Sequence, residues 1–183
     1  MHPDTEPALR QLITTALTAD SIRSRSGVAA LRDHRAEDAS MVGLLSNLAD
    51  SETLVAVTTT TGVERRGLVE VVGTNGFTLL SQNRTRSIFR LSAIASLRYF
   101  GSQRFDGDGS PTTTMSWPTM IAAFIEPLSD VVLMVGHQQV LGRVRNISRS
   151  ILQISTPGDQ MFYAVVDAIE ELSLNVPGSI RQD

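Results

Sequence analysis

The chain resembles itself at one fixed offset, and this feature limits its fold more than any other. A shift of 75 residues places Gly67 on Gly142 and continues without a gap as far as Leu97. Apolar residues meet apolar residues at the matching positions, among them Val69 and Val144, Val72 and Ile147, Phe77 and Leu152, and Leu97 and Leu172. The chain is therefore predicted to contain two copies of one structural unit.

Within each copy, apolar and polar residues alternate with a period of two, which is typical of half-buried β-strands. In the first copy the strands are predicted near residues 53–60, 64–72, 76–82, 86–91 and 94–99. In the second copy they are predicted near residues 131–136, 139–147, 150–156, 160–166 and 168–174. A glycine inside the long second strand permits a sharp bend, and closure removes exposed strand edges. Each copy is thus expected to fold as a five-stranded barrel.

The expected fold class is mainly β with helices, because an apolar helical stretch precedes each set of strands. Ser40 and Thr119 stand where helix N-caps are expected. Further helices are predicted near residues 6–19 and 28–38. The predicted organisation is an N-terminal helical segment at 1–39, a helix with the first barrel at 40–100, a linker at 101–116, a helix with the second barrel at 117–174 and a tail at 175–183.

The residues of the first copy carry a resemblance to a known family. They are Val55 and Val57, Gly62 five residues before Gly67, Phe77-Thr78-Leu79-Leu80, Ile88-Phe89-Arg90 and Ala93-Ile94. With the helix and the five strands, this pattern resembles the Sm-like fold, and most closely the bacterial Sm-like RNA chaperones called Hfq. SH3-like barrels of several families share the same strand plan. The two copies together cover roughly three quarters of the chain.

The resemblance implies a non-catalytic protein that forms rings and binds RNA at two loops. The loop between the second and third strands corresponds to Thr74, Asn75 and Phe77, and the loop between the fourth and fifth strands to Arg90 and Ser92. RNA is therefore expected to bind the first copy. In the second copy an aspartate, Asp167, replaces Ser92 and would repel phosphate, so that copy is expected to be a structural partner.

The arginines of the first copy allow two interpretations. Arg84, Arg86 and Arg90 share a parity, so an extended segment would place them in one basic stripe that could bind RNA. Alternatively, these three and the neighbouring arginines supply the polar outer face of a barrel and pair with Glu64 and Glu70. The neighbouring arginines are Arg65, Arg66, Arg98 and Arg104. The sequence leaves both interpretations open.

The composition of the chain argues against several classes of function. The chain has no cysteine, its basic residues are all arginine, and its net charge of −3 argues against coating nucleic acid by bulk electrostatics. The three histidines, at positions 2, 34 and 137, show no metal-ligand spacing, and no nucleophile or phosphate-loop motif is present. Glu170 and Glu171 are interpreted as a charged rim. We therefore expect no enzyme activity, no catalytic or metal-binding residues and no cofactor.

The expected location is the cytoplasm, because no apolar run has the roughly 20 residues of a membrane-spanning helix and the acidic N-terminus is unlike a signal peptide. Two functions remain as hypotheses. The first is RNA binding through the first copy, at Asn75, Phe77, Arg84, Arg86, Arg90 and Ser92. The second is a protein-interaction or assembly module in which the barrels use their edge strands and the N-terminal helix to build a homo-oligomer or to dock another protein, without binding nucleic acid.

Overall fold

The structure, a computed structural model, describes residues 40–174. The helices predicted at 6–19 and 28–38 and the tail at 175–183 lie outside the described residues. The first group of elements is α1 Met41–Asp50, β1 Leu54–Thr59, β2 Glu64–Val72, β3 Gly76–Leu80, β4 Arg86–Arg90 and β5 Ile94–Tyr99. The second is α2 Trp117–Phe124, β6 Asp130–Val135, β7 Gln138–Ile147, β8 Ile151–Thr156, β9 Gln160–Val165 and β10 Ile169–Leu174. Neither helix is long and apolar enough to cross a membrane.

All ten strands join in one antiparallel sheet, in the order β5-β1-β2-β3-β4-β10-β6-β7-β8-β9. The prediction of two closed five-stranded barrels, each with its own helix, is therefore wrong. The reason lies at β4, whose second edge pairs with β10 from the other end of the chain. The backbone hydrogen-bonding groups at these edges are satisfied by pairing between the two groups of strands, and not by closure of each group into a barrel. The result is an open sheet.

The strand positions themselves follow the predicted segments closely, since every predicted strand overlaps an observed one. Gly67 pairs with Val55, and Gly142 pairs with Val131. A Cβ at Gly67 would stand 2.3 Å from the carbonyl oxygen of Leu80, and a Cβ at Gly142 2.7 Å from that of Ser155. Both glycines are thus required by the close approach of a neighbouring strand.

The segment at 101–116, predicted as a linker, is packed against the first group of elements. The Ser40 amide donates to the carbonyl of Gly107 at 3.1 Å, next to the start of α1. The Thr113 amide donates to the carbonyl of Val72 at 3.1 Å, and the Val72 amide donates to Oγ1 of Thr112 at 2.8 Å. These bonds fix the segment along the end of β2.

The sheet encloses two apolar clusters. The first lies under α1 and includes Leu45, Leu48, Phe77 and Phe89, with the two aromatic rings stacked at 5.3 Å. The second is built around Trp117 and includes most buried residues of β6 to β10. Ile88 of β4 belongs to this second cluster, although it lies in the first group of strands. The two groups therefore share core residues at β4.

Candidate functional site

Two of the residues predicted to bind RNA, Asn75 in the loop after β2 and Phe77 in β3, have structural partners. Asn75 is exposed, and its Oδ1 accepts a hydrogen bond from the Trp117 amide at 2.5 Å. This bond satisfies a free amide in the first turn of α2. Phe77 is fully buried in the first cluster. Asn75 thus anchors a helix, and the ring of Phe77 is not presented to solvent.

Arg84 and Arg86 do not continue one extended stripe. Arg84 lies in the turn before β4 with a φ of 61°, and its side chain is exposed. Arg86, at the start of β4, donates two hydrogen bonds to the carboxylate of Glu70, from Nε at 2.7 Å and from Nη2 at 3.1 Å. The carboxylate of Glu70 raises the pKa of Arg86. The interpretation of arginines pairing with Glu70 is confirmed at Arg86.

Arg90 and Ser92 border the contact between the two groups of strands. Nη1 of Arg90 donates to the carbonyl of Asp167, and its buried Nε has no hydrogen-bond partner among residues 40–174. Ser92 is exposed in the 3₁₀ turn Leu91–Ala93. Of the six predicted RNA-contacting residues, Asn75, Arg84 and Ser92 are therefore the exposed ones, and Asn75 already accepts a hydrogen bond from the Trp117 amide.

Glu64 forms ion pairs with two further arginines near the outer edge of the sheet. Its carboxylate pairs with Arg66 at 2.9 Å and with Arg98 of β5 at 2.5 Å. The hydrogen bond from Arg66 and the charge of Arg98 lower the pKa of Glu64. The pairing with Glu64, predicted as an alternative to RNA binding, involves these two arginines.

The contact between β4 and β10, here called the internal junction, joins the two groups of strands into one sheet. Phe89 pairs with Glu171, Ile88 with Leu172 and Ser87 with Ser173. Ile88 and Leu172 are fully buried, and the hydroxyls of Ser87 and Ser173 share a hydrogen bond of 2.6 Å. The junction thus buries Ile88 and Leu172 on one face of the sheet. On the other face it pairs two hydroxyls next to the buried ring of Phe89.

An ion pair crosses the internal junction. Nε of Arg65, on β2, donates to Oε1 of Glu171 at 2.8 Å, and Oγ of Ser173 donates to the same oxygen at 2.9 Å. Glu171 is 1% exposed, and its second oxygen has no partner among the described residues. Burial of a carboxylate is costly unless it is paired, and the hydrogen bond from Arg65 offsets part of that cost.

Sequence reasoning missed this pair because it placed Glu171 on a charged rim. Arg65 and Glu171 are 106 positions apart, and alternation alone does not indicate which strands meet. One feature of the sequence pointed to Glu171. It is an acidic residue directly before the apolar Leu172, and the matching residue of the first copy is the neutral Ser96.

The outer edges of the sheet are β5 and β9, each of which pairs on one side among the ten described strands. On β9, Met161, Tyr163 and Val165 are exposed, with Tyr163 at 59%. On β5, Ser96 and Arg98 are exposed and Leu97 is half-buried. The β9 edge strand therefore exposes three large apolar side chains to solvent.

Among residues 40–174, no group of three or more His, Asp or Glu side chains could hold a metal ion. Comparison with models of known protein families gave no match, and comparison with curated proteins gave none either.

Proposed function

We propose that this chain is a non-catalytic assembly module whose copies join by pairing β9 of one copy with β5 of the next. One observation carries the proposal: the internal junction pairs two strands whose places in their groups match those of the open edges. β4 and β9 each follow the third strand of their group, and β10 and β5 each end theirs. The chain thus contains, between its own two groups, the contact that two copies would repeat.

The strand registers support this correspondence. Ile169 of β10 pairs with Val135 and Ile94 of β5 pairs with Thr59, and a shift in register occurs next to each of these pairs. Transferring the internal junction by 75 residues gives an intermolecular register. It places Ser96 opposite Ala164, Leu97 opposite Tyr163 and Arg98 opposite Phe162.

The exposed side chains indicate what such pairing would bury. Tyr163 is the match of Ile88, which is fully buried at the internal junction. An aromatic side chain buries on the order of 150–250 Å², and apolar burial contributes about 25 cal/mol per Å². Pairing would also satisfy the free backbone groups of both edges. Apolar burial and hydrogen bonding thus favour the same contact.

A β9-to-β5 contact is heterologous, because the two partners contribute different surfaces. Heterologous contacts close into rings when the rotation per copy permits, and otherwise extend into filaments. The proposal therefore predicts assemblies larger than a symmetric dimer.

Sedimentation equilibrium of the full chain tests the proposal. The wild-type chain is expected to form assemblies of three or more copies, and Tyr163→Asp is expected to shift the distribution to monomers by placing a charge in the contact. Leu128→Asp is the matched control, because Leu128 is an exposed apolar residue outside both edges. A wild-type chain that remains monomeric at high concentration contradicts the proposal.

RNA binding and the relationship to Sm-like proteins stay predictions. The exposed position of Arg84 is the observation that favours RNA binding, because Arg86 and Arg90 already have partners. A salt-titrated binding assay with short single-stranded RNA tests it, with Arg84→Gln as the variant. Binding that weakens steeply with salt and falls in Arg84→Gln would support a site there. Absence of binding at low salt would exclude this function.

A further inference from the structure

We propose that the Arg65–Glu171 pair is a specificity determinant that directs β10 to β4 and leaves β9 for the β5 edge of a second copy, which has the neutral Ser96 in the place of Glu171. This inference rests on the proposed function and adds to it a physical reason why each strand edge pairs with one partner and not with another. It follows from comparing the charges at the internal junction with the residues at matching positions of the open edges.

The internal junction is charged on both sides. Arg65 and Arg90 belong to the first group, and they bind Glu171 and the backbone of Asp167 in the second group. Glu170 adds a hydrogen bond from Oγ1 of Thr61 at 3.1 Å. Basic groups thus lie on the β4 side of the junction and acidic groups on the β10 side.

The open edges lack these charges at the matching positions. The residue of the second group that matches Arg65 is Val140, which pairs with Leu133 as Arg65 pairs with Val57. The match of Arg90 is Val165 on β9. On the β5 side, Ser96 matches Glu171 and Ser92 matches Asp167. Both open edges are therefore neutral where the internal junction is charged.

Mismatched pairing is penalised by this arrangement. β10 pairs on both sides within the chain, so β9 of another copy could pair with it only by displacing β4, and Glu171 would then lie against Val140 without an arginine. Leaving a buried charge without its partner is strongly destabilising, whereas a neutral pair carries no such penalty. Discrimination by an unpaired charge is a common basis of binding specificity. The Arg65–Glu171 pair therefore disfavours exchange of β4 for the β9 strand of a second copy.

The test introduces the charge of Glu171 at the open edge. Ser96→Glu is compared with Ser96→Gln, which has nearly the same size and no charge, in the full chain by sedimentation equilibrium. Ser96 is exposed, so neither substitution disturbs the core of the separate chain. We expect the assembly of Ser96→Glu to be weaker than that of Ser96→Gln by at least about tenfold in dissociation constant.

Restoring the missing arginine provides the second arm. Adding Val140→Arg to Ser96→Glu is expected to recover most of the lost affinity, because each contact between copies then holds an Arg–Glu pair. If thermal melting shows that Val140→Arg does not fold, acidification replaces this arm. Position 96 shares its face of the sheet with Arg98 and Glu64, which are present in both variants. Lowering the pH towards about 4.5, near the ordinary pKa of glutamate, is therefore expected to strengthen the assembly of Ser96→Glu more than that of Ser96→Gln.

The outcomes separate this inference from the proposed function. Equal assembly of Ser96→Glu and Ser96→Gln overturns the role of charge and leaves β9-to-β5 pairing intact. Wild-type and Ser96→Gln chains that both stay monomeric overturn the pairing and this inference with it. Weakening confined to Ser96→Glu, relieved by Val140→Arg or by acidification, supports both.

Discussion

Ile88 and Tyr163 hold the same place in their groups of strands, yet Ile88 is fully buried and Tyr163 is 59% exposed. The difference arises from their neighbours. Ile88 lies opposite Leu172 of β10, whereas β9 has no strand on its outer side among those described. The same position is therefore covered by a neighbouring strand in β4 and uncovered in β9. This difference is the basis of the proposed assembly.

Ile88→Ala is expected to destabilise the separate chain by about 2–5 kcal/mol, because it leaves a cavity in the second apolar cluster. Denaturant unfolding at concentrations where the chain is monomeric measures this loss. Tyr163→Ala is the matched control and is expected to change stability by less than about 0.5 kcal/mol, as is usual for exposed positions. A similar loss in both variants would mean that Tyr163 is buried in the monomer.

Asn75→Ala is expected to lower the free energy of unfolding by about 0.5–2 kcal/mol, the range found for lost helix caps. The physical reason is the Trp117 amide in the first turn of α2, which loses its acceptor. Denaturant unfolding of the protein without nucleic acid measures the effect. Asn75→Asp, which keeps an acceptor oxygen, is the control and is expected to retain most of the stability. An unchanged Asn75→Ala would leave RNA contact as the remaining prediction for this residue.

The pKa of the Glu64 carboxyl is lowered chiefly by the hydrogen bond from Arg66, with the charge of Arg98 adding to it. A carboxyl whose pKa is lowered by folding stabilises the folded chain above its unfolded pKa, and this contribution is lost as the pH falls through the folded value. Arg66→Gln is therefore expected to raise the pKa of Glu64 towards its ordinary value of 4.5.

NMR titration of the Glu64 side chain measures this shift. Asp130 is an internal control, because its pKa is lowered by a separate hydrogen bond from Arg143 and is expected to stay unchanged in Arg66→Gln. A Glu64 pKa that does not move in the variant would contradict the assigned cause.

The sequence predicted the parts of this fold that local patterns encode. Alternating apolar residues correctly indicated the strands, and Ser40 was correctly expected to cap α1, where its Oγ accepts from the Gly43 amide at 2.9 Å. The expected cap of α2 at Thr119 was wrong, because Thr119 lies inside the helix and Ser116 is its N-cap. Closure was predicted incorrectly because strand partnership depends on residues far apart in sequence. Ser87 and Ser173, 86 positions apart, share a hydrogen bond that alternation does not encode.

The candidate site was predicted less well than the fold for a related reason. A parity argument grouped Arg84, Arg86 and Arg90, but it takes no account of turns or of partners on other strands. Arg84 lies in a turn, and the other two bind Glu70 and the backbone of Asp167. Electrostatic pairing between distant strands decides which arginines remain available, and a single sequence does not contain that information directly.

Disulfide cross-linking tests the central claim most directly, because the chain has no cysteine of its own. In the double variant Leu97→Cys with Tyr163→Cys, the proposed register places the two thiols on directly opposite residues, within the range that a disulfide can bridge. Leu97→Cys with Leu128→Cys is the control. We predict a ladder of covalently linked chains on oxidation of the first variant and none with the control. Equal cross-linking in both, or none in either, would contradict pairing of β9 with β5.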